Sequence, residues 1–153
     1  MEKIRKKLFV RIVKGEAFNK FVNEINQWWP KDYSWSGDEL KEIKIDASKD
    51  GLCTEIGPFG FRCDWGRVTQ INVNEKIELK WQIGPNREPI PDPEKASELE
   101  IAFIENGNST TLVELEHRLF EKHGEMGEDY FKMMDSEQGW EFILDNYKKY
   151  CES

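Results

Sequence analysis

The amino-acid sequence predicts an α+β fold in which a long C-terminal helix covers a curved antiparallel sheet. Two observations favour it: apolar residues recur at helical spacing over residues 124–151, and the residues before them alternate as strands do. An amphipathic helix must bury its apolar stripe, and a helix laid across a curved sheet commonly leaves a cavity for small molecules. A chain of 153 residues has the size of one domain, so we expect a single domain over residues 1–153.

The first thirty residues predict one strand followed by helix. Residues 4–13 alternate basic and apolar side chains, as a half-exposed strand does. From residue 15 onward, apolar side chains recur at helical spacing until Pro30, which cannot continue a helix. We therefore expect two short helices, or one broken helix, after the first strand.

Six further strands are expected before the closing helix. Turn-forming residues divide residues 40–83 into a meander of four strands, and the last of these, 76–83, has the clearest alternation. Residues 84–93 contain four prolines and predict a long exposed loop at the rim of the sheet. Strands at 98–105 and 110–120 then flank an Asn-Gly-Asn turn.

Composition and charge exclude several classes of protein. The net charge of -8 would repel a nucleic-acid backbone, so we expect no nucleic-acid partner. The N-terminus does not resemble a signal peptide, and no apolar stretch is long enough to span a bilayer, so we expect a cytoplasmic protein with no membrane span. Cys53, Cys63 and Cys151 lack the spacing of a zinc cluster or a disulfide framework, which predicts free thiols. We expect no metal and no other cofactor.

Short motifs along nearly the whole chain resemble the START-like superfamily, and within it the family called activator of heat-shock protein ninety ATPase homologue. They are Ala17-Phe18, Trp28-Trp29, Trp65-Gly66-Arg67-Val68, Leu79-Lys80-Trp81, Ser109-Thr110-Thr111-Leu112-Val113 and Gly139-Trp140. The resemblance implies a helix-grip fold, with about six to seven strands wrapped around the C-terminal helix. The family often has a histidine three residues before the Gly-Trp pair, where this chain has Ser136, so no role of that histidine carries over.

In such a fold the tryptophans should cluster near the cavity, where each indole offers a large apolar surface and one N–H donor. The candidate ligand-binding residues are Trp29, Trp65, Arg67, Trp81, Phe103, His117, Met133 and Trp140. Arg67 and Arg87 are the cations best placed along the chain to hold a ligand carboxylate. The alternative is that the rings themselves fill the interior and leave a solid core.

The sequence contains no assembled catalytic motif, and we predict no catalytic residue. His117 lies on the apolar face of its strand, where it is either an acid or base in the cavity or a hydrogen-bonded core histidine. His123 is expected to be an exposed loop residue. Glu42, Glu55 and Asp64 lie on strands and could pair as acid and base, although their spacing does not indicate that they meet.

Three functions are compatible with these observations. The first is a non-enzymatic protein that binds a hydrophobic or aromatic small molecule in a cavity of about 300 Å³ or more, lined by Trp81, Phe103, His117 and Trp140. The second, implied by the family name, is a module that contacts a chaperone through its surface, although the short chain counts against it. The third is a pocket enzyme, such as a cyclase or hydrolase, that uses His117. Monomer and homodimer are both expected possibilities.

Overall fold

A computed structural model describes residues 2–153 and contains one antiparallel sheet of seven strands in the order β1-β7-β6-β5-β4-β3-β2. The strands are β1 Ile4–Val10, β2 Glu42–Ile45, β3 Leu52–Ile56, β4 Arg62–Asn72, β5 Lys76–Trp81, β6 Ser97–Glu105 and β7 Thr111–Arg118. Each strand pairs with its neighbour in the antiparallel direction. The sheet curls around the C-terminal helical segment, so the predicted α+β helix-grip fold is confirmed.

The helices follow the first strand and close the chain. They are α1 Lys14–Val22, α2 Ile25–Trp28, α3 Gly127–Asp135 and α4 Trp140–Cys151, with a 3₁₀ segment at Phe120–Met126 before α3. Two short helices after β1 agree with the prediction.

The closing helix is interrupted rather than continuous over residues 124–151. Ser136 has an extended backbone after α3, and the chain turns through residues 136–139 before α4 begins. Gly139 makes this turn possible, because a Cβ atom there would lie 2.2 Å from the carbonyl oxygen of Met134. The apolar stripe continues across the turn, which explains why helical spacing alone predicted one helix.

The inner face of the sheet forms a solid core at the end covered by α1. Phe103 of β6 packs there against Phe18 and Phe21, with ring centroids 5.3 and 5.9 Å apart respectively. Tyr147 of α4 donates a 2.6 Å hydrogen bond to the carbonyl oxygen of Ala17, which ties α4 to α1. This end of the interior is therefore filled by side chains.

The outer face of the sheet is charged. Arg118 lies within 3.3 Å of carboxylate oxygens from four glutamates, namely Glu78, Glu98, Glu100 and Glu116. This contrast between the two faces accounts for the alternating pattern of the strands. Within residues 2–153, none of the helices combines the length and the apolar character needed to cross a bilayer.

Candidate functional site

A cavity of about 310 Å³, here called the main cavity, lies between the end of β5, the proline-rich loop (residues 84–93), α3 and the start of α4. Its lining residues are Trp29, Asp32, Tyr33, Trp81, Ile83, Gly84, Pro85, Arg87, Tyr130, Met133, Met134, Gln138, Gly139 and Ile143. Most of these side chains are apolar or aromatic, and few are polar. Such a lining suits a small apolar molecule with one or two polar groups.

A smaller space of about 30 Å³, here called the inner chamber, adjoins the main cavity. Trp29, Tyr33, Ile83 and Arg87 line both spaces. The remaining walls of the inner chamber are Trp35, Ile43, Glu55 and Trp65. Its volume suits one atom or group of about the size of a water molecule.

Aromatic rings hold the walls of the main cavity in place. The ring of Trp29 lies 6.3 Å from those of Trp65 and Trp81, measured between centroids. The indole N–H of Trp81 donates a 2.7 Å hydrogen bond to the hydroxyl of Tyr130, which donates in turn to the carbonyl oxygen of Ile83 at 2.8 Å. Burial raises the pKa of Tyr130, so this hydroxyl keeps its proton.

Residues 34–36, here called the bridging loop, connect the sheet to the proline-rich loop. The buried carboxylate of Glu55 accepts hydrogen bonds from the backbone N–H groups of Trp35 and Ser36 and from the Ser36 hydroxyl, at 2.7–3.1 Å. Trp35 Nε1 donates to the carbonyl oxygen of Arg87 at 2.6 Å, and Arg87 Nη2 donates to the carbonyl oxygen of Ser34 at 2.7 Å. Glu55 therefore positions the loop that closes this side of the cavity.

His117 is a fully buried core residue and does not line the main cavity. Its Nδ1 accepts a 3.0 Å hydrogen bond from Trp140 Nε1, so in the neutral ring Nε2 carries the proton and donates to Ser97 Oγ at 2.8 Å. Burial, with smaller contributions from His123 and Arg118, lowers the pKa of His117 well below its usual value. Because both ring nitrogens are occupied, His117 is poorly suited to act as acid or base on a ligand.

His123 is half-buried, so the prediction of an exposed loop residue is wrong. The hydroxyl of Ser97 donates a 2.7 Å hydrogen bond to its Nε2, which extends the chain of hydrogen bonds that starts at Trp140. The sequence did not indicate this contact, because the two residues lie 26 positions apart.

The three strand carboxylates do not meet. Glu55 faces the interior, whereas Asp64 accepts from Thr54 Oγ1 at 2.8 Å and lies on the outer face. Glu42, paired with Ile56 at the edge of the sheet, is exposed. This excludes the acid and base pair considered from the sequence. Residues 2–153 contain no group of three or more His, Cys, Asp or Glu side chains arranged to hold a metal ion.

The structure distributes the eight predicted site residues over several locations. Trp29, Trp81 and Met133 line the main cavity, and Trp65 lines the inner chamber. Ligand contact by any of them stays a prediction.

The other four residues do not line either space. Trp140 and His117 lie behind Trp81, with ring centroids 5.4 and 5.6 Å from it, and Phe103 belongs to the solid core. Arg67 lies opposite Lys80 in the register of β4 and β5, and both residues belong to the outer face of the sheet. The assignment of Arg67 to the cavity is therefore corrected. The cavity has the expected volume, but Trp81 is the only one of its four expected lining residues that lines it.

Sequence reasoning missed several residues of the site. Tyr130 belongs to the apolar stripe of the closing helix. Its hydroxyl could have indicated the site, because a buried tyrosine hydroxyl requires a hydrogen-bond partner. Glu55 interrupts the apolar residues of β3 with a carboxylate that is 1% exposed. Burial of a charge requires several hydrogen-bond donors, and the bridging loop supplies them.

The low pKa of His117 predicts that stability falls in mild acid. In the unfolded chain the imidazole of His117 binds a proton with a pKa near 6.5, whereas in the folded protein it stays neutral. Acid therefore favours the unfolded state. We expect His117 alone to lower the free energy of unfolding by up to about 1.4 kcal/mol per pH unit below pH 6.5. Urea denaturation at pH 7.5, 6.5 and 5.5 measures this slope, and these values lie above the usual titration range of the carboxylates.

A His117→Gln variant provides the comparison for this pH dependence. It removes the titrating group, so its slope should be clearly smaller, with a remainder from His123, whose pKa burial also lowers. Equal slopes in the variant and the wild type would contradict the assignment.

The seven-stranded sheet, the closing helices and the cavity between them define a helix-grip domain of the START-like class. The chain belongs to the family of Activator of Hsp90 ATPase homolog 1-like proteins, whose family model matches residues 16–152. This confirms the family resemblance seen in the sequence motifs. No curated protein matches the sequence significantly.

Solved structures share this fold over almost the whole chain. Txn09, an anthrahydroquino-γ-pyrone synthase, is 25% identical, with a TM-score of 0.69 over 97% of this chain and 96% of its own. CalC from Micromonospora echinospora, a self-sacrificing resistance protein, is 20% identical, with a TM-score of 0.68 over 97% and 93%. The Aha1 dimer from Colwellia psychrerythraea is 13% identical, with a TM-score of 0.64 over 99% and 97%.

Proposed function

We propose that this domain binds a small hydrophobic or aromatic molecule in the main cavity. The observation that carries the proposal is a space of about 310 Å³ whose walls include Trp29, Trp81 and Met133. Burial of apolar ligand surface against such walls contributes about 25 cal/mol per Å² before the costs of association are subtracted. Binding rather than catalysis is favoured, because His117 has both ring nitrogens occupied and the carboxylates of Glu55 and Asp64 lie on opposite faces.

Similarity to Txn09 adds support from comparison. That protein is an anthrahydroquino-γ-pyrone synthase by its name, and it is similar to this chain over nearly the full length of both. We extend to this chain only the ligand class that the name indicates, a ring compound. Native mass spectrometry of the freshly purified protein tests for the particular ligand. A copurifying molecule would appear as a mass above that of the chain.

A charge introduced at the main cavity should abolish binding of an aromatic probe. Met133 lines the cavity and is 49% exposed, so a Met133→Glu variant can fold while it places a carboxylate against the apolar walls. We expect this variant to bind 8-anilinonaphthalene-1-sulfonate at least about tenfold more weakly than the wild type does. The increase in probe fluorescence during titration measures the affinity.

Met126→Glu is the matched control for this experiment. Met126 is 44% exposed and does not line the main cavity, so the same substitution there adds the same charge outside the site. Its affinity for the probe should stay within about threefold of that of the wild type. An equal loss in both variants, or no binding by the wild-type protein, would contradict the proposed site.

Contact with a chaperone is a second candidate, favoured by the family match over residues 16–152. We propose it as an activity of the surface, separate from the cavity. It predicts that the purified domain changes the ATPase rate of an Hsp90-type chaperone, and that Met133→Glu leaves this effect in place. An unchanged ATPase rate at saturating concentration would count against it.

A further inference from the structure

Trp65, a residue of the inner chamber's lining, has a buried hydrogen-bond donor without a partner among residues 2–153. Trp65 lines this chamber and is 3% exposed, and its indole Nε1 has no hydrogen-bond partner among residues 2–153. A buried N–H that lacks an acceptor costs about 1–3 kcal/mol. Native proteins rarely keep such a donor unless water or a ligand completes the bond.

The one carboxylate in the chamber is already occupied. Both oxygens of Glu55 accept hydrogen bonds from the bridging loop, through the N–H of Trp35 and the N–H and hydroxyl of Ser36. Arg87, which lines both spaces, uses one N–H of Nη2 for the carbonyl oxygen of Ser34 and forms no ion pair within the described residues. The chamber therefore has donors to offer, and its acceptor groups are largely engaged.

We propose that the inner chamber receives an oxygen acceptor of the ligand, with Trp65 Nε1 as the donor that recognises it. This inference rests on the proposed function, since it needs a ligand in the main cavity. The chamber, at about 30 Å³, suits a single oxygen, while the main cavity, at about 310 Å³, accommodates a ring system. The ligand class is then a flat apolar ring compound with a carbonyl at one edge, rather than a hydrocarbon or an amine.

A pair of probes that differ only in the carbonyl tests this assignment. 1-Tetralone and tetralin have the same bicyclic frame, and isothermal titration calorimetry measures the affinity of each for the wild type and for a Trp65→Phe variant. The affinity for tetralone divided by that for tetralin is compared between the wild type and Trp65→Phe. This comparison cancels the different solubility of the two probes, because it affects both proteins equally. We expect the variant to lose about fivefold to tenfold of the relative affinity for tetralone, as one hydrogen bond would give.

Trp81→Phe is the matched control for the loss of an indole ring. Trp81 also lines the main cavity, but its N–H already donates to Tyr130, so this variant should weaken both probes by the same factor. An unchanged ratio in Trp65→Phe, with both probes still bound, would overturn the role of Trp65 and leave the proposed function standing. Failure of the wild type to bind either probe would overturn both.

A measurement on the wild-type protein covers the case in which Trp65→Phe does not fold. In protein labelled with ¹⁵N at its indole groups, the N–H resonance of Trp65, assigned from its contacts with neighbouring protons, should move downfield with tetralone and not with tetralin. A hydrogen bond to the carbonyl causes this shift, whereas ring contact alone affects the resonance equally with both probes. Equal shifts would overturn the proposal.

Discussion

Replacement of Trp140 by Phe is expected to lower the free energy of unfolding by about 2–4 kcal/mol. The ring of Trp140 is 1% exposed and packs against Trp81, and its Nε1 supplies the only hydrogen bond that His117 Nδ1 accepts among the described residues. Phenylalanine leaves part of the indole volume empty and leaves this buried nitrogen without a donor. Urea denaturation at pH 7.5, where both histidines are neutral, measures the loss.

A double-mutant cycle separates the hydrogen bond from the lost volume. His117→Leu removes the acceptor. In the His117→Leu background, Trp140→Phe should therefore lower the free energy of unfolding by about 1–2 kcal/mol less than it does in the wild type. The reduction arises because no unpaired nitrogen remains in the double variant. Strictly additive effects would show that the contact between Trp140 and His117 contributes nothing specific to stability.

Glu55→Gln is expected to lower the free energy of unfolding by about 1.5–3 kcal/mol and to loosen the bridging loop. The side chain keeps its shape, but one carboxylate oxygen becomes an NH₂ group that faces the donors of Trp35 or Ser36. Two donors then oppose each other in a buried site. Urea denaturation measures the stability, and amide hydrogen exchange at Trp35 and Ser36 should become faster in the variant.

The same substitution at Glu42 is the control for this second prediction. Glu42 lies in the paired strand β2 with an exposed side chain, and its nearest cation, Lys44, is 3.9 Å away and also exposed. Glu42→Gln should change stability by no more than about 0.5 kcal/mol. Protection of Trp35 and Ser36 that is unaffected by Glu55→Gln would show that the loop is held by its other contacts.

The C-terminal segment shows how far helical spacing predicts structure. Apolar residues kept their spacing through residues 124–151, and the helical elements there do cover the sheet. The spacing could not reveal the turn at Ser136 to Gly139, because that turn preserves which residues face the core. The turn matters for the site, since Gly139 lines the main cavity.

Arg67 shows where counting along a strand fails. Two positions after the buried Trp65, simple alternation would turn Arg67 inward as well. The register between β3 and β4 shifts here: Cys53 pairs with Gly66 and Thr54 pairs with Asp64, so Trp65 has no counterpart. This β-bulge reverses the alternation, and Gly66 pairs with the inward-facing Trp81 while Arg67 pairs with Lys80 outside.

Alternation and helical spacing were enough to predict a helix across an antiparallel sheet, because they are properties of neighbouring residues. The resemblance of short motifs to a known family implied the helix-grip fold and the family itself. The tertiary structure decided which aromatic residues fill space and which leave it open. Phe103 and Phe18 close one end of the interior, whereas Trp81 and Tyr130 leave the main cavity at the other. Those outcomes depend on a bulge, a helix break and contacts between distant loops, and neither alternation nor helical spacing reveals any of them.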